Sequence, residues 1–152
     1  MPDSRFQFSN FQESVVYLDG QTCPTVEHAF QAAKTLDPDE RKRVIEAKTP
    51  ASARGLGRKV TLRRDWEKAK NGIMLDLLRQ KFAPGTERAR ELMACEEPII
   101  EYNTWHDTYW GVCTCARHNG KGSNNLGFLL KIVRQELINR SQIEAIMKAN
   151  GR

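Results

Sequence analysis

Apolar side chains along this chain recur at two periods, and each change of period marks an element. Val15-Val16-Tyr17-Leu18 runs into Asp19-Gly20 and then Gln21-Thr22-Cys23, which predicts a hairpin with the Asp-Gly pair at its turn. Pro24-Thr25 predicts a helix start with Thr25 as the cap, because Val26, Ala29, Phe30 and Ala33 follow at three- and four-residue spacing as far as Asp37-Pro38. Asp37-Pro38-Asp39-Glu40 supplies a cap, a first-turn proline and a capping-box glutamate for a second helix toward Lys48, and Thr49-Pro50 repeats the signal. The longest periodic stretch, Trp66, Ala69, Ile73, Met74, Leu77, Leu78 and Phe82, predicts a central helix that ends before Pro84-Gly85. A shorter helix around Glu87 to Cys95 leads to Pro98-Ile99-Ile100-Glu101-Tyr102, a strand-favouring run. Leu126, Leu129, Leu130, Val133 and Leu137 mark another helix, and Ser141 reads as the cap of a final short one carrying Ile143, Ile146 and Met147.

The fold class that follows is α+β: a mostly helical single domain, residues 1–152, with a small sheet of short strands. No repeat, low-complexity stretch or linker divides it. At 152 residues the chain can build a core without disulfides. With 39% hydrophobic and 28% charged residues, and no apolar run approaching about 20 residues, the expectation is a soluble protein with no membrane partner. Met1-Pro2-Asp3-Ser4-Arg5-Phe6-Gln7-Phe8 lacks the basic-then-apolar pattern of a secretory signal, which points to the cytoplasm. A net charge of +5 leans mildly toward polyanionic ligands such as nucleotides or nucleic acid.

From Asn103 to Asn125 the pattern turns to loop chemistry, with Gly111, Gly120 and Gly122 among Trp105, His106, Asp107, Tyr109 and Trp110. A long irregular stretch in a small domain is usually functional. Cys113-Thr114-Cys115 with His118 prompts a test for zinc, whose fourth ligand would be Cys95 or His106. The paired Cys-x-x-Cys spacing is absent, so the expectation is free thiols in a turn, with no metal and no cofactor. The segment from Gly120 to Gly127 enters a helix whose free amides can hold a phosphate, although it matches neither the Walker A pattern nor the dinucleotide fingerprint. The aromatic side chains around Asp107 either stack a base or line the edge of the core.

On the first predicted helix, Phe30, Gln31 and Lys34 fall on the same side as Glu27, so the acid and the amine can act together two turns apart. A first-turn glutamate is equally a favourable charge at the positive end of the helix dipole. His28 fits a packed, hydrogen-bonded histidine as well as a ligand contact.

The combination and order of these pieces resembles the NADAR family, named for NAD and ADP-ribose, which includes the YbiA-like N-glycosidases. The resemblance is carried by Phe8-Ser9-Asn10-Phe11, by the run from Pro24 to Lys34, by Arg54-Gly55-Leu56-Gly57-Arg58, Asp65-Trp66 and Lys81-Phe82, and by Glu101, Asp107-Thr108-Tyr109-Trp110-Gly111 and the run from Gly120 to Gly127. It covers about residues 6–134, leaving 135–152 as a helical extension. Family members commonly have a strand before the Phe-Ser-Asn-Phe segment, where only seven residues precede Phe8 here, so part of one ligand-binding wall is expected to be missing or differently supplied. The insert from Cys113 to His118 is a second departure.

The resemblance implies hydrolysis of a bond between a ribose anomeric carbon and an exocyclic nitrogen. Its first implied substrate is ADP-ribosylated guanine in DNA or nucleotides, with roles in DNA repair or as the antitoxin of an ADP-ribosyltransferase toxin. Its second is a small ribosyl phosphate, a ribosylamino-pyrimidine intermediate of riboflavin synthesis. A catalytically silent ADP-ribose-binding module is the alternative from another class. Carried onto this sequence, the catalytic residues are Glu27, Lys34 and Asp107, and the substrate-binding residues are Ser9, Asn10, Phe11, His28, Arg54, Trp66, Trp110, Gly111, Gly120, Gly122 and Asn124. Lys34 would attack a ring-opened sugar to form a Schiff base while Glu27 moves protons, or Glu27 and Asp107 would serve a direct displacement.

Overall fold

The computed structural model describes residues 8–151. The chain is an α+β protein whose residues gather into two compact units, Ser9–Lys81 and the chain from Phe82 onward together with Phe8.

The first unit opens with β1 (Val16–Leu18) and β2 (Gln21–Cys23), an antiparallel hairpin with Leu18 opposite Gln21. Asp19 and Gly20 take φ of 47° and 81°, the two left-handed residues that a tight hairpin turn demands, which is why Asp-Gly stands there. Helix α1 (Val26–Ala32) starts where Thr25 accepts a hydrogen bond from the His28 amide. It stops sooner than its apolar stripe predicts. Lys34 N donates to Gln31 O and Thr35 N to Ala32 O, so the last turn tightens to three-residue bonds before the α region is lost ahead of Pro38. Asp37 caps α2 (Pro38–Ile45) by accepting from the amides of Asp39 and Glu40, whereas the Glu40 carboxylate, expected to close a capping box, accepts instead from Thr61 N at 2.7 Å. Thr49 caps α3 (Pro50–Gly57), and α4 (Trp66–Lys81) runs its sixteen residues as predicted. Val16, Val26, Ala29, Phe30, Val44, Ala53, Trp66, Met74, Leu77 and Leu78 form the core of this unit, each large side chain contributing about 1.5–3 kcal/mol by leaving water. Burial also pushes the Cys23 thiol up to about 11, against the smaller opposing effects of the Leu18 backbone and Arg41.

In the second unit Phe8 meets Phe82 edge to face, with ring centroids 5.9 Å apart. Helix α5 (Glu87–Ala94), capped by Thr86, packs on α6 (Asn125–Ala149). The strand expected at residues 98–102 shrinks to β3 (Tyr102–Asn103), which pairs in parallel with β4 (Val112–Cys113). The two helices expected after residue 125 are one. Ser141 does not interrupt α6, because no proline or glycine stands between Gly127 and Ala149 and a serine alone costs too little to break twenty-five residues of helix. Leu126, Leu130, Val133 and Leu137 are buried along its first half, while Ile143, Ile146 and Met147 are exposed beyond it. Among the described residues no helix is long and apolar enough to cross a membrane.

Candidate active site

Glu27 lies in the first turn of α1, 8% exposed, with Oε1 accepting a hydrogen bond from Gln31 Nε2 at 2.9 Å, one turn along the same face. Its backbone amide donates to Asn10 O at 3.2 Å, so the 9–11 segment and α1 are tied together at the acid itself. Around that segment Ser9 Oγ accepts from Phe11 N, Asn10 is buried with its Nδ2 3.7 Å from Met74 Sδ, and the Arg54 guanidinium of α3 stands over the Phe11 ring at 5.2 Å. Below it Lys81, 3% exposed, donates from Nζ to Ser9 O at 2.6 Å. Lys34 is half-buried in the turn after α1, where its carbonyl accepts from Arg63 N at 2.7 Å and fixes the backbone that carries the amine. The first unit thus gathers Ser9, Asn10, Phe11, Glu27 and Arg54.

His28 and Trp66 are both engaged in contacts within the fold. His28 is 2% exposed, its Nδ1 2.9 Å from Thr25 Oγ1 and its Nε2 2.9 Å from Ala47 O, so both ring nitrogens serve the fold. Trp66, 7% exposed, packs on Phe30 with centroids 5.0 Å apart. Both act as supports for α1.

In the second unit Asp107 accepts the amides of Tyr109 and Trp110 on Oδ1, at 3.0 and 2.9 Å, and thereby sets the turn that presents the Trp110 indole edge to face with Tyr109. Asn103, buried beside it, exchanges two hydrogen bonds with Asp107: its Oδ1 accepts from Asp107 N, and its Nδ2 donates to Asp107 O at 2.7 Å. Gly111 lies against this clamp, since a Cβ there would stand 2.9 Å from Asn103 Nδ2. Asn124, at φ 51°, donates from Nδ2 to Ile99 O and accepts the Glu101 amide on Oδ1, both at 2.9 Å, which fixes the start of α6.

Most of the amides expected to cradle phosphate donate to backbone carbonyls. Gly120 N donates to Cys113 O, Lys121 N to His118 O, Ser123 N to Thr108 O, Asn125 N to Tyr109 O and Leu126 N to Trp110 O. Gly122 serves close backbone packing, since a Cβ on it would stand 2.8 Å from Val112 Cα, whereas Gly120 serves the turn through its φ of 82°. Three residues outside the sequence-derived set emerge as supports, namely Gln31, Lys81 and Asn103. Gln31 was legible as a face partner of Glu27 and Lys81 as part of a resemblance motif, whereas nothing in the local pattern distinguishes Asn103.

A buried carboxylate, a half-buried amine and an aspartate that orders an aromatic turn are groups fit for proton transfer and sugar-carbon chemistry. Comparison with known proteins defines the class. The NADAR domain matches residues 2–138. The chain is 38% identical over 137 residues to the N-glycosidase YbiA of Shigella boydii serotype 4, covering 89% of this chain and 83% of that protein. It is 31% identical to a riboflavin biosynthesis protein of Vibrio vulnificus, covering 90% of this chain but 37% of that one. The solved NMR structure of Escherichia coli YbiA superposes with a TM-score of 0.74 at 34% identity, over 93% of this chain and 83% of that one. The chain belongs to the NADAR family. It is an enzyme of the N-glycosidase class, a hydrolase acting on N-glycosyl compounds. Residues 2–7 of the matched stretch, on which the expectation about the family's leading strand falls, lie outside the described residues.

Proposed function

We propose that this N-glycosidase releases ADP-ribose from the exocyclic amino group of guanine in nucleic acid or nucleotides, with Glu27, Lys34 and Asp107 as its catalytic residues. The observation that carries the reading is Glu27, an acid withdrawn from water and held by Gln31 in one orientation at the head of α1. Such a group moves protons in a site rather than merely solvating a helix. The Arg54–Phe11 pair supplies a cation beside an exposed ring, suited to a phosphate and a base, and the +5 charge favours a polyanion. An ADP-ribosyltransferase must supply such a substrate, so this enzyme would repair modified DNA or act as the antidote to a toxin of that class.

In the covalent route the ribose of the glycosylamine opens to an imine, and the neutral Lys34 amine adds to its carbon. Glu27 protonates the departing guanine nitrogen as the C–N bond breaks, leaving a Schiff base between Lys34 and the sugar. Water then adds, and cleavage of the Lys34 bond returns the amine and frees the aldehyde of ADP-ribose. The competing reading, a glycosidase of ribosylamino-pyrimidine phosphates, is favoured by the name of the Vibrio relative.

Borohydride added during turnover tests the route. It is expected to fix the sugar to Lys34, found by peptide mapping, while Lys34→Arg binds substrate without turnover. Near-normal turnover by Lys34→Arg would leave the lysine as a charge and give the chemistry to the two carboxylates. Supplying the ADP-ribosylated guanine and the ribosylamino-pyrimidine phosphate separately, with released sugar followed by mass spectrometry, separates the two substrates.

A further inference from the structure

Residues 103–124 carry a second constellation that the glycosidase chemistry does not use. His106 lies in the loop after β3, Cys113 ends β4, Cys115 follows two residues on, and His118 sits in the next turn. Their donor atoms converge, all four lying within 4.8 Å of one another. His106 Nδ1 is 3.4 Å from His118 Nδ1, and Cys115 Sγ is 3.3 Å from the first nitrogen and 3.1 Å from the second. A tetrahedral zinc ion, with Zn–N about 2.0–2.1 Å and Zn–S about 2.3 Å, separates its nitrogens by about 3.4 Å and nitrogen from sulfur by about 3.6 Å. The observed spacings match that figure for the nitrogens and fall a few tenths of an ångström inside it for the sulfur.

The surrounding backbone holds the donors in place. Cys113 N donates to Lys121 O at 2.9 Å, Gly120 N returns to Cys113 O at 2.8 Å, and Asn119 N donates to Cys115 O at 2.7 Å. The His118 amide points at Cys115 Sγ, 3.4 Å away, as amides do toward a sulfur that carries charge. Hydrogen bonding alone accounts poorly for this convergence, because a proton joins only one pair of the three facing atoms at a time. A metal joins all of them.

We propose that His106, Cys113, Cys115 and His118 bind one zinc ion in a tetrahedral site of two thiolates and two imidazoles. Soft sulfur donors reject calcium and magnesium, and four protein ligands leave no open position, so the ion is structural. Two thiolates balance its charge. Held this way, zinc pins the residue next to Asp107 and closes the loop that carries Trp110. Of the two fourth donors that the sequence offered, Cys95 and His106, the fold brings His106 to the cluster.

Protein made in zinc-supplemented medium and purified without chelator is expected to carry one zinc per chain by elemental analysis and native mass spectrometry. Cobalt(II) in its place should give the intense visible bands of a tetrahedral thiolate site. Alkylation of the native protein should spare Cys113 and Cys115 until a chelator is added, while Cys95, partly exposed and outside the cluster, reacts in both states. Loss of groups that only support a ligand weakens metal binding about 10–100-fold, so Cys115→Ser and His118→Asn should weaken it by at least that much, and Cys95→Ser not at all. If a ligand variant does not fold, the wild-type chain decides: chelation should lower Tm and zinc should restore it. Substoichiometric zinc, octahedral cobalt, or Cys113 and Cys115 alkylated or disulfide-linked in zinc-supplemented protein would each overturn the assignment.

Discussion

Glu27 is a first-turn carboxylate near the positive end of α1, held by Gln31 Nε2. Glu27→Gln keeps the shape and an acceptor for Gln31 but moves no proton. It is expected to lower kcat by about 10²–10⁴-fold with little change in Tm, checked by steady-state kinetics beside thermal unfolding. Retained kcat would shift proton transfer to another group. Gly122 answers a different question. Its loop is expected to hold phosphate or ribose through backbone amides, but a side chain at Gly122 would meet the backbone of Gly111 and Val112. Gly122→Ala should therefore destabilise the fold by about 1–3 kcal/mol in denaturant unfolding, as overpacking does; unchanged stability with weakened substrate binding would restore the ligand role. At this scale the sequence exposes residues whose chemistry is unusual in place, such as a glutamate at a helix start. It hides those whose role comes from a distant partner: Lys81 reaches Ser9 across seventy-two positions.

Helix α1 carries both Glu27 and the turn that ends at Lys34, so its start controls the site. Thr25 caps it and also meets His28 Nδ1. Thr25→Ala should cost about 0.5–2 kcal/mol by thermal or denaturant unfolding, and Thr25→Ser should recover most of it because the hydroxyl is what both contacts use. Equal losses in the two variants would assign the effect to the methyl group. Caps and turns proved legible because each is a local bargain between a side chain and the next few amides, as at Asp19-Gly20, Thr25, Asp37 and Thr49. Strand length and helix continuity were not. β3 is set by where Val112 and Cys113 arrive to pair with it, and α6 runs through Ser141 because a serine competes weakly with an established helix.

At the scale of the whole molecule, the fold class and family emerge from the order of short motifs along nearly the whole chain, although no single motif is distinctive. The candidate residues fall in both units, with Glu27, Lys34 and Arg54 in the first and Asp107 and Trp110 in the second. Net charge contributes only a bias toward anionic substrates, one that weakens as salt rises. The most direct measurement uses a single-stranded oligonucleotide bearing one ADP-ribosylated guanine, incubated with excess wild-type or Glu27→Gln protein and analysed by mass spectrometry. Wild type is expected to return unmodified guanine with one equivalent of free ADP-ribose, and the variant to leave the oligonucleotide intact. An unchanged oligonucleotide with wild type, under conditions where the same protein cleaves the ribosylamino-pyrimidine phosphate, would contradict this expectation.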